Sequence, residues 1–392
     1  RRIMDLFDKC KVELVDRARE AKIYPYFHEL ESRQAPEVIM EGKRKIMLGS
    51  NNYLGLTSNP RVIEAGIHAL EKYGSGCSGS RFLNGTLDLH VQLESELADF
   101  LGKDSVMTFS TGFQTNLGVI SAIAGRSDYI FCDKDNHASI YDGCKLSYAK
   151  TIRFNHSDMD HLESALKSVP IESGKLIVSD GVFSMGGDIC KLPEIVALAE
   201  KYNARVMIDD AHGLGVIGNG GRGTADYFGL TDKVDLITGT FSKSLASLGG
   251  FVAGNHKVID FIRHTSRPFI FCASLPPASC ATAIESLHIL KEHPEMSAHL
   301  LELAEYMRNG LRKRDIKIRD SITPIIPIYT YEEMRTLCKA KELFDAGVYV
   351  NPVLPPAAPP AECLLRTSYM ATLTTDLLDE SIDIIESVLK ND

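Results

Sequence analysis

Between about residues 100 and 255, short runs rich in β-branched and aromatic residues (SVMTF, YIFCD, KLIVSD, ARVMID, VDLITGT and GGFVAG) alternate with helical patterns and loops. Few folds accept that alternation. It predicts an α/β domain whose mainly parallel sheet carries helices on both faces. One connector, LPEIVALAEKY, sets Leu192, Ile195, Val196 and Ala199 on one side of a helix and suits a crossover. A chain of 392 residues with 44% hydrophobic content is long and apolar enough to bury such a core.

Beyond about residue 290 the texture changes. Leu300, Leu303, Ala304, Met307 and Leu311 trace one face of a long helix, and Leu378, Ile382, Ile385 and Leu389 trace another. Between them lie the strand-like TPIIPIYT and the proline-rich NPVLPPAAPPAE, whose composition suits a rigid linker or an extended polyproline segment. The expected organisation is an N-terminal segment (1–55), a large domain (56–289) and a smaller α+β domain (290–392).

Several function classes are disfavoured. The net charge of -9, without a basic block, argues against a nucleic-acid partner. No apolar run approaches the roughly 18 residues that span a bilayer. The opening RRIMDLFDKCKVELVDRARE reads as an amphipathic helix rather than a secretion signal, so a cytoplasmic location is expected. Nine cysteines stand singly with no CxxC pair, which predicts reduced, mostly buried thiols and no metal site.

Four segments carry residues suited to chemistry. GTFSKSLASLGG places Lys243 in a small-residue turn after an apolar strand, where desolvation would lower its pKa and favour Schiff-base formation. Thr240, Ser242 and Ser244 offer hydroxyls to a phosphate there, although a surface lysine in a polar turn would give the same string. ARVMIDDAHGLGVIG runs from a strand into Asp209, Asp210 and His212, at the strand edge where open α/β sheets collect ligands. The GxGxxG from Gly213 to Gly218 lacks the strand-to-helix context of a dinucleotide fingerprint. FSTGFQTNLGVISAI turns from a strand end into a helix whose first N–H groups, at Thr111, Gly112 and Phe113, could cradle a phosphate. DKDNHASIYDG sets His137 in a loop where it could stack on a planar ring.

Together these segments resemble the α-oxoamine synthases, fold-type I pyridoxal 5'-phosphate enzymes that condense amino acids with acyl-CoA. The resemblance runs from GSNNYLGLTSNPRV through YGSGCSGSRFLNGTLDLH to LLRTSYMAT, with motifs in the family's order. It implies that Lys243 holds the cofactor as a Schiff base and later acts as base, that Asp209 pairs with the pyridine nitrogen, that His212 hydrogen-bonds the phenolic oxygen and that His137 stacks on the ring. Gly112, Phe113, Thr240 and Ser242 would hold the phosphate, with Ser274 of a partner subunit. Arg366 would bind the amino acid's carboxylate near Asn51, and Ser80 and Arg81 would bear on specificity. The implied reaction joins L-serine to a long-chain acyl-CoA with loss of CO2; palmitoyl-CoA would give 3-ketodihydrosphingosine. Cysteate, glycine or alanine, or another acyl donor, is the alternative within the family. A catalytically silent subunit would have lost the lysine. A homodimer with a shared site is implied, and peripheral membrane contact is compatible with a lipid substrate. Two positions depart from the pattern: Gly186 stands where relatives usually carry an acid, and PPAAPP lacks a threonine common in that loop.

Overall fold

The computed structural model describes residues 5–391. The first four residues of the expected amphipathic helix lie outside that range. The remainder of that segment forms a short turn at Leu6–Lys9 and a helix at Glu13–Glu20, with residues 10–12 non-helical between them.

Seven strands form the central sheet: β1 (Ser105–Phe109), β2 (Asp128–Asp133), β3 (Lys150–Phe154), β4 (Gly174–Asp180), β5 (Arg205–Asp209), β6 (Leu236–Thr240) and β7 (Gly250–Gly254). Their order is β1-β7-β6-β5-β4-β2-β3. Only β7 runs antiparallel to its neighbours. Successive side chains of a strand point to opposite faces, so each strand feeds two cores. Phe131, Ile177, Ile208 and Ile237 enter one, while Cys132, Val178, Met207 and Leu236 enter the other. Helices α1 (Gly112–Ile123), α2 (Ala138–Leu146) and α3 (Leu192–Tyr202) cross over the sheet. The buried face of α3 is Leu192, Ile195, Val196 and Ala199, as its periodicity requires.

A second core gathers residues from both ends of the sequence. Val38, Ile46, Leu48 and Tyr53 pack with Leu300, Met307, Ile326, Leu378 and Ile382. There β8 (Ile325–Tyr331), β9 (Asn351–Val353) and β10 (Cys363–Ser368) form an antiparallel sheet with β10 in the middle. The proline-rich stretch is therefore the loop of the β9–β10 hairpin rather than a linker, and its Ala358 packs on Val353, Leu364 and Tyr329. Five of the nine free cysteines are buried, Cys10 and Cys272 are exposed, and Cys77 and Cys338 are half-buried.

The seating of α1 on β7 depends on Gly250. A Cβ there would lie 2.3 Å from the Thr115 hydroxyl and 2.7 Å from the Gly112 Cα. Both obstacles belong to the first turn of α1, so Gly250→Ala should push that turn away from the sheet. Overpacking of this kind costs roughly 1–3 kcal/mol, and denaturant titration should show the loss; unchanged stability would mean that α1 is free to shift.

Candidate active site

The parallel strands end together on one edge of the sheet. In register, Asp180 of β4 lies beside Asp209 of β5, which lies beside Thr238 of β6. Above them opens a cavity of about 280 Å³, lined among others by Gly112, Phe113, Asn116, His137, Asp180, Ser184, Asp209, His212, Thr240, Ser242 and Lys243. Eight of the expected site residues thus meet at one place, though they come from segments up to 131 positions apart (Gly112 to Lys243).

Asp209 and Asp210 are adjacent in sequence and serve different environments. The Asp209 carboxylate accepts from the Asn116 side-chain amide at 2.7 Å and from the Ala211 N–H at 3.0 Å while facing the cavity. Asp210 points the other way. It accepts from the Thr224 N–H at 2.8 Å and the Thr224 hydroxyl at 2.6 Å, and burial raises its pKa to about 6 despite them. Because the strand period is two, the last strand residue and its successor diverge, and only Asp209 can meet a ligand.

Lys243 leaves the turn after β6 half-buried, with Nζ 2.9 Å from His212 Nε2. Desolvation pulls its pKa down to about 8, outweighing the carboxylate of Asp209. His212 is buried, and that burial, followed by the Lys243 charge, holds its imidazole well below its ordinary pKa. A neutral ring has one donor and one acceptor. With Nε2 accepting from the lysine, Nδ1 carries the proton and faces the Tyr53 hydroxyl at 2.6 Å.

His137 caps α2 and is held at three points. Its backbone N–H donates to Asp180 at 2.9 Å, its Nδ1 accepts from the Ser139 N–H at 3.2 Å, and the Ser139 hydroxyl lies 2.7 Å away. The ring is exposed to the cavity, edge-on to Phe113 at 6.3 Å. Asp180, beneath it, is buried, and that burial together with the nearby Asp209 charge raises its pKa well above the carboxylate range.

On the opposite wall, α1 begins. The first N–H groups of a helix have no intrahelical acceptor. Thr111 accepts that of Gln114 at 3.0 Å, and those of Gly112 and Phe113 remain for an anion. A Cβ on Gly112 would lie 3.0 Å from Thr240, so glycine lets the helix start close to the Thr240 and Ser242 hydroxyls, which lie 2.8 Å from each other. A phosphate fits this wall: it would find two amides, two hydroxyls and the positive end of the helix dipole.

Arg366 lies behind the cavity in mid-strand on β10, opposite Asn351 and Pro327, and is 4% exposed. Its Nε donates to the Ser184 carbonyl and its Nη2 to Asn51 at 3.0 Å. Ser184 lines the cavity, so the guanidinium sits one residue back from it. Three expected residues lie elsewhere. Arg81 ion-pairs with buried Glu94, donates to Thr108 at 2.9 Å, and lines a separate cavity of about 610 Å³. Ser80 is buried, and Ser274 donates to the carbonyls of Gly79 and Gly85, which places it in the same loop cluster.

Asn116 and Tyr53 were not singled out from the sequence. Asn116 is the hub of the site: its amide reaches Asp209 and, at 2.9 Å, the Ser139 hydroxyl, while its carbonyl accepts from Thr238 at 3.0 Å. Its one signal was spacing, since a polar residue four positions after Gly112 shares the face of the helix start.

Comparison with known proteins follows the same lines. The family model described as aminotransferase class I and II matches residues 43–385. A serine palmitoyltransferase of Bacteroides ovatus is 51% identical over 97% of this chain and 97% of its own length. An 8-amino-7-oxononanoate synthase of Thermoanaerobacter pseudethanolicus is 42% identical over 96% of each. Among solved structures, a serine palmitoyltransferase of S. paucimobilis with a bound PLP–myriocin aldimine superposes with a TM-score of 0.95 at 38% identity over 98% of both chains.

In cofactor-free protein, Lys243 should titrate near pH 8. Its acylation rate, followed by mass spectrometry across pH, is expected to reach half its plateau there, well before surface lysines. A half-point in the ordinary lysine range near 10.4 would show that the site does not desolvate the amine.

Proposed function

Since the chain belongs to the aminotransferase class I and II family, and within it to the α-oxoamine synthases, we propose that it is a pyridoxal-phosphate enzyme condensing L-serine with a long-chain acyl-CoA. With palmitoyl-CoA the products are 3-ketodihydrosphingosine, CO2 and CoA, which opens sphingolipid synthesis. The observation that carries this reading is the convergence of the Lys243 amine, the Asp209 carboxylate and the first turn of α1 on one cavity of about 280 Å³. The serine assignment is supported by the 51% identity to a serine palmitoyltransferase, against 42% to an 8-amino-7-oxononanoate synthase.

The residues divide the work by chemistry. Lys243 would hold the cofactor, and the Gly112 and Phe113 amides with the Thr240 and Ser242 hydroxyls would take its phosphate. Asp209 would pair with the pyridine nitrogen, kept in place by Asn116. His137 would cover the ring face, and His212, neutral and fixed by Tyr53, would hydrogen-bond the ring oxygen through Nε2. When bound, the cofactor supplies the electron sink that stabilises negative charge on the amino acid's Cα. Lys243, with a pKa near the working pH, is suited to remove the Cα proton and return it. Arg366 meets the substrate carboxylate as a planar fork in two parallel hydrogen bonds, a geometry lysine cannot offer.

The reading extends to assembly and location. A homodimer would bring Ser274 and the Ser80–Arg81 loop of one subunit to the cavity of the other, which accounts for their place outside their own. A cytoplasmic enzyme with peripheral membrane contact suits the lipid substrate; among the described residues no helix is long and apolar enough to cross a membrane.

Purified yellow protein given palmitoyl-CoA with L-serine, L-cysteate, glycine or L-alanine should release CoA thiol with serine and yield the mass of 3-ketodihydrosphingosine. Release with another amino acid alone would keep the mechanism and replace the substrate. No release with any, despite bound cofactor, would contradict acyl-CoA as donor. Arg366→Ala should weaken serine binding about tenfold or more, as the loss of a charge-assisted bond worth roughly 1.5–3 kcal/mol requires, while leaving the cofactor's absorbance in place; unchanged serine affinity would remove Arg366 from the site.

A further inference from the structure

His156 follows β3 and takes no part in the cavity, yet both its ring nitrogens meet carboxylates. Nδ1 lies 3.0 Å from Asp133, at the end of β2, and Nε2 lies 2.7 Å from Asp188. A carboxylate only accepts, so both nitrogens must donate, and a ring that donates twice is an imidazolium. Burial opposes that charge, but the bonds to Asp133 and Asp188 outweigh it and push the pKa up to about 10. The other charges nearby are Asp135, 3.7 Å from Nδ1, and Arg319, 3.3 Å from the far oxygen of Asp188.

Asp188 closes a tight turn in the connection from β4 to α3. The Phe183 N–H donates to the Asp188 carbonyl at 2.9 Å, and the Gly187 N–H donates to the Phe183 carbonyl at 2.8 Å. The Phe183 ring meets the His156 ring edge-on at 4.4 Å, so the imidazolium grips both ends of the turn. Ser184 lies inside it, and the Ser184 carbonyl accepts from Arg366 Nε. From His156 to Arg366 the path is thus one side-chain bond, one closed turn and one backbone carbonyl. Gly186 adds a condition. A Cβ there would lie 2.3 Å from the Asp188 carboxylate and 2.6 Å from the Arg319 guanidinium, so the residue that departs from the family pattern is the one that lets this cluster close.

We propose that His156 is a positioning residue for the amino-acid subsite: donating to Asp133 and Asp188 at once, it holds the 183–188 turn so that the Ser184 carbonyl keeps Arg366 aimed at the substrate carboxylate. The inference rests on the functional reading above, in which Arg366 binds that group. It assigns His156 to amino-acid affinity rather than to the phosphate wall or the acyl donor, because among the described residues neither Asp133 nor the 183–188 turn hydrogen-bonds the first turn of α1 or the Lys243 turn.

The test is the serine Kd of holoenzyme, read from the change in cofactor absorbance, for wild type, His156→Gln, Asp188→Asn and Asp135→Asn. A glutamine can donate to one carboxylate and leaves the other without its partner, which loosens the turn. His156→Gln is therefore expected to raise the serine Kd about tenfold, with the resting cofactor spectrum and the KM for palmitoyl-CoA within about twofold of wild type. Asp188→Asn should move the serine Kd the same way, and it decides the matter if His156→Gln does not take up cofactor. Asp135→Asn, at the longer distance, should stay near wild type. An unchanged serine Kd in both His156→Gln and Asp188→Asn, or an equal rise in the palmitoyl-CoA KM, overturns the inference. A wild-type holoenzyme that gives no response to serine overturns the functional reading instead.

Discussion

The Asp209 carboxylate, buried at the end of a central strand, is the constraint from which the site follows. A buried anion is costly unless hydrogen-bonded, and Asp209 is served by the Ala211 N–H and by Asn116. Asn116 belongs to α1, so the bond that satisfies the anion also fixes the helix whose first turn offers amides to a phosphate. The same amide reaches Ser139, which orients His137, and the Asn116 carbonyl takes the Thr238 hydroxyl from the next strand. One buried charge thus couples the two walls and the floor of the cavity.

The second core contributes the residues that would distinguish substrates. Tyr53 and Arg366 both arise there, the first from the chain before the large sheet and the second from the middle of the C-terminal sheet. Each reaches the cavity through another residue, Tyr53 through His212 and Arg366 through Ser184. Cofactor chemistry and amino-acid recognition would then be built on separate packing units that meet along one edge. The meeting is buried and hydrogen-bonded, which is how a guanidinium can be held at a defined angle without a charged partner in direct contact.

Much of this was legible in the sequence because it follows local rules. The strands β1, β2, β4, β5, β6 and β7 are short apolar runs, and α3 shows its face by periodicity. The strand β3 escaped because it is the sheet's edge: Lys150 and Arg153 are exposed, and KTIRF carries too few apolar residues to mark a buried strand. The motif residues were found through family likeness, and most of them converge on the cavity. Asn116, Tyr53 and His156 were not found, since each acts across a distance in sequence that composition does not encode. Arg81 shows the converse: an arginine in a family motif is neutralised by Glu94 from the following helix. The proline run looked like a spacer because its hydrogen-bonded neighbours, Asn351–Val353 and Cys363–Ser368, flank it and pair only in three dimensions.

Borohydride reduction of the yellow holoenzyme, followed by peptide mass mapping, tests the central claim most directly. A single phosphopyridoxyl group on the peptide containing Lys243, with loss of activity, is the expected result. The group on any other lysine, or no lysine labelled while the colour persists, would contradict the placement of the reactive amine between Asp209 and His212.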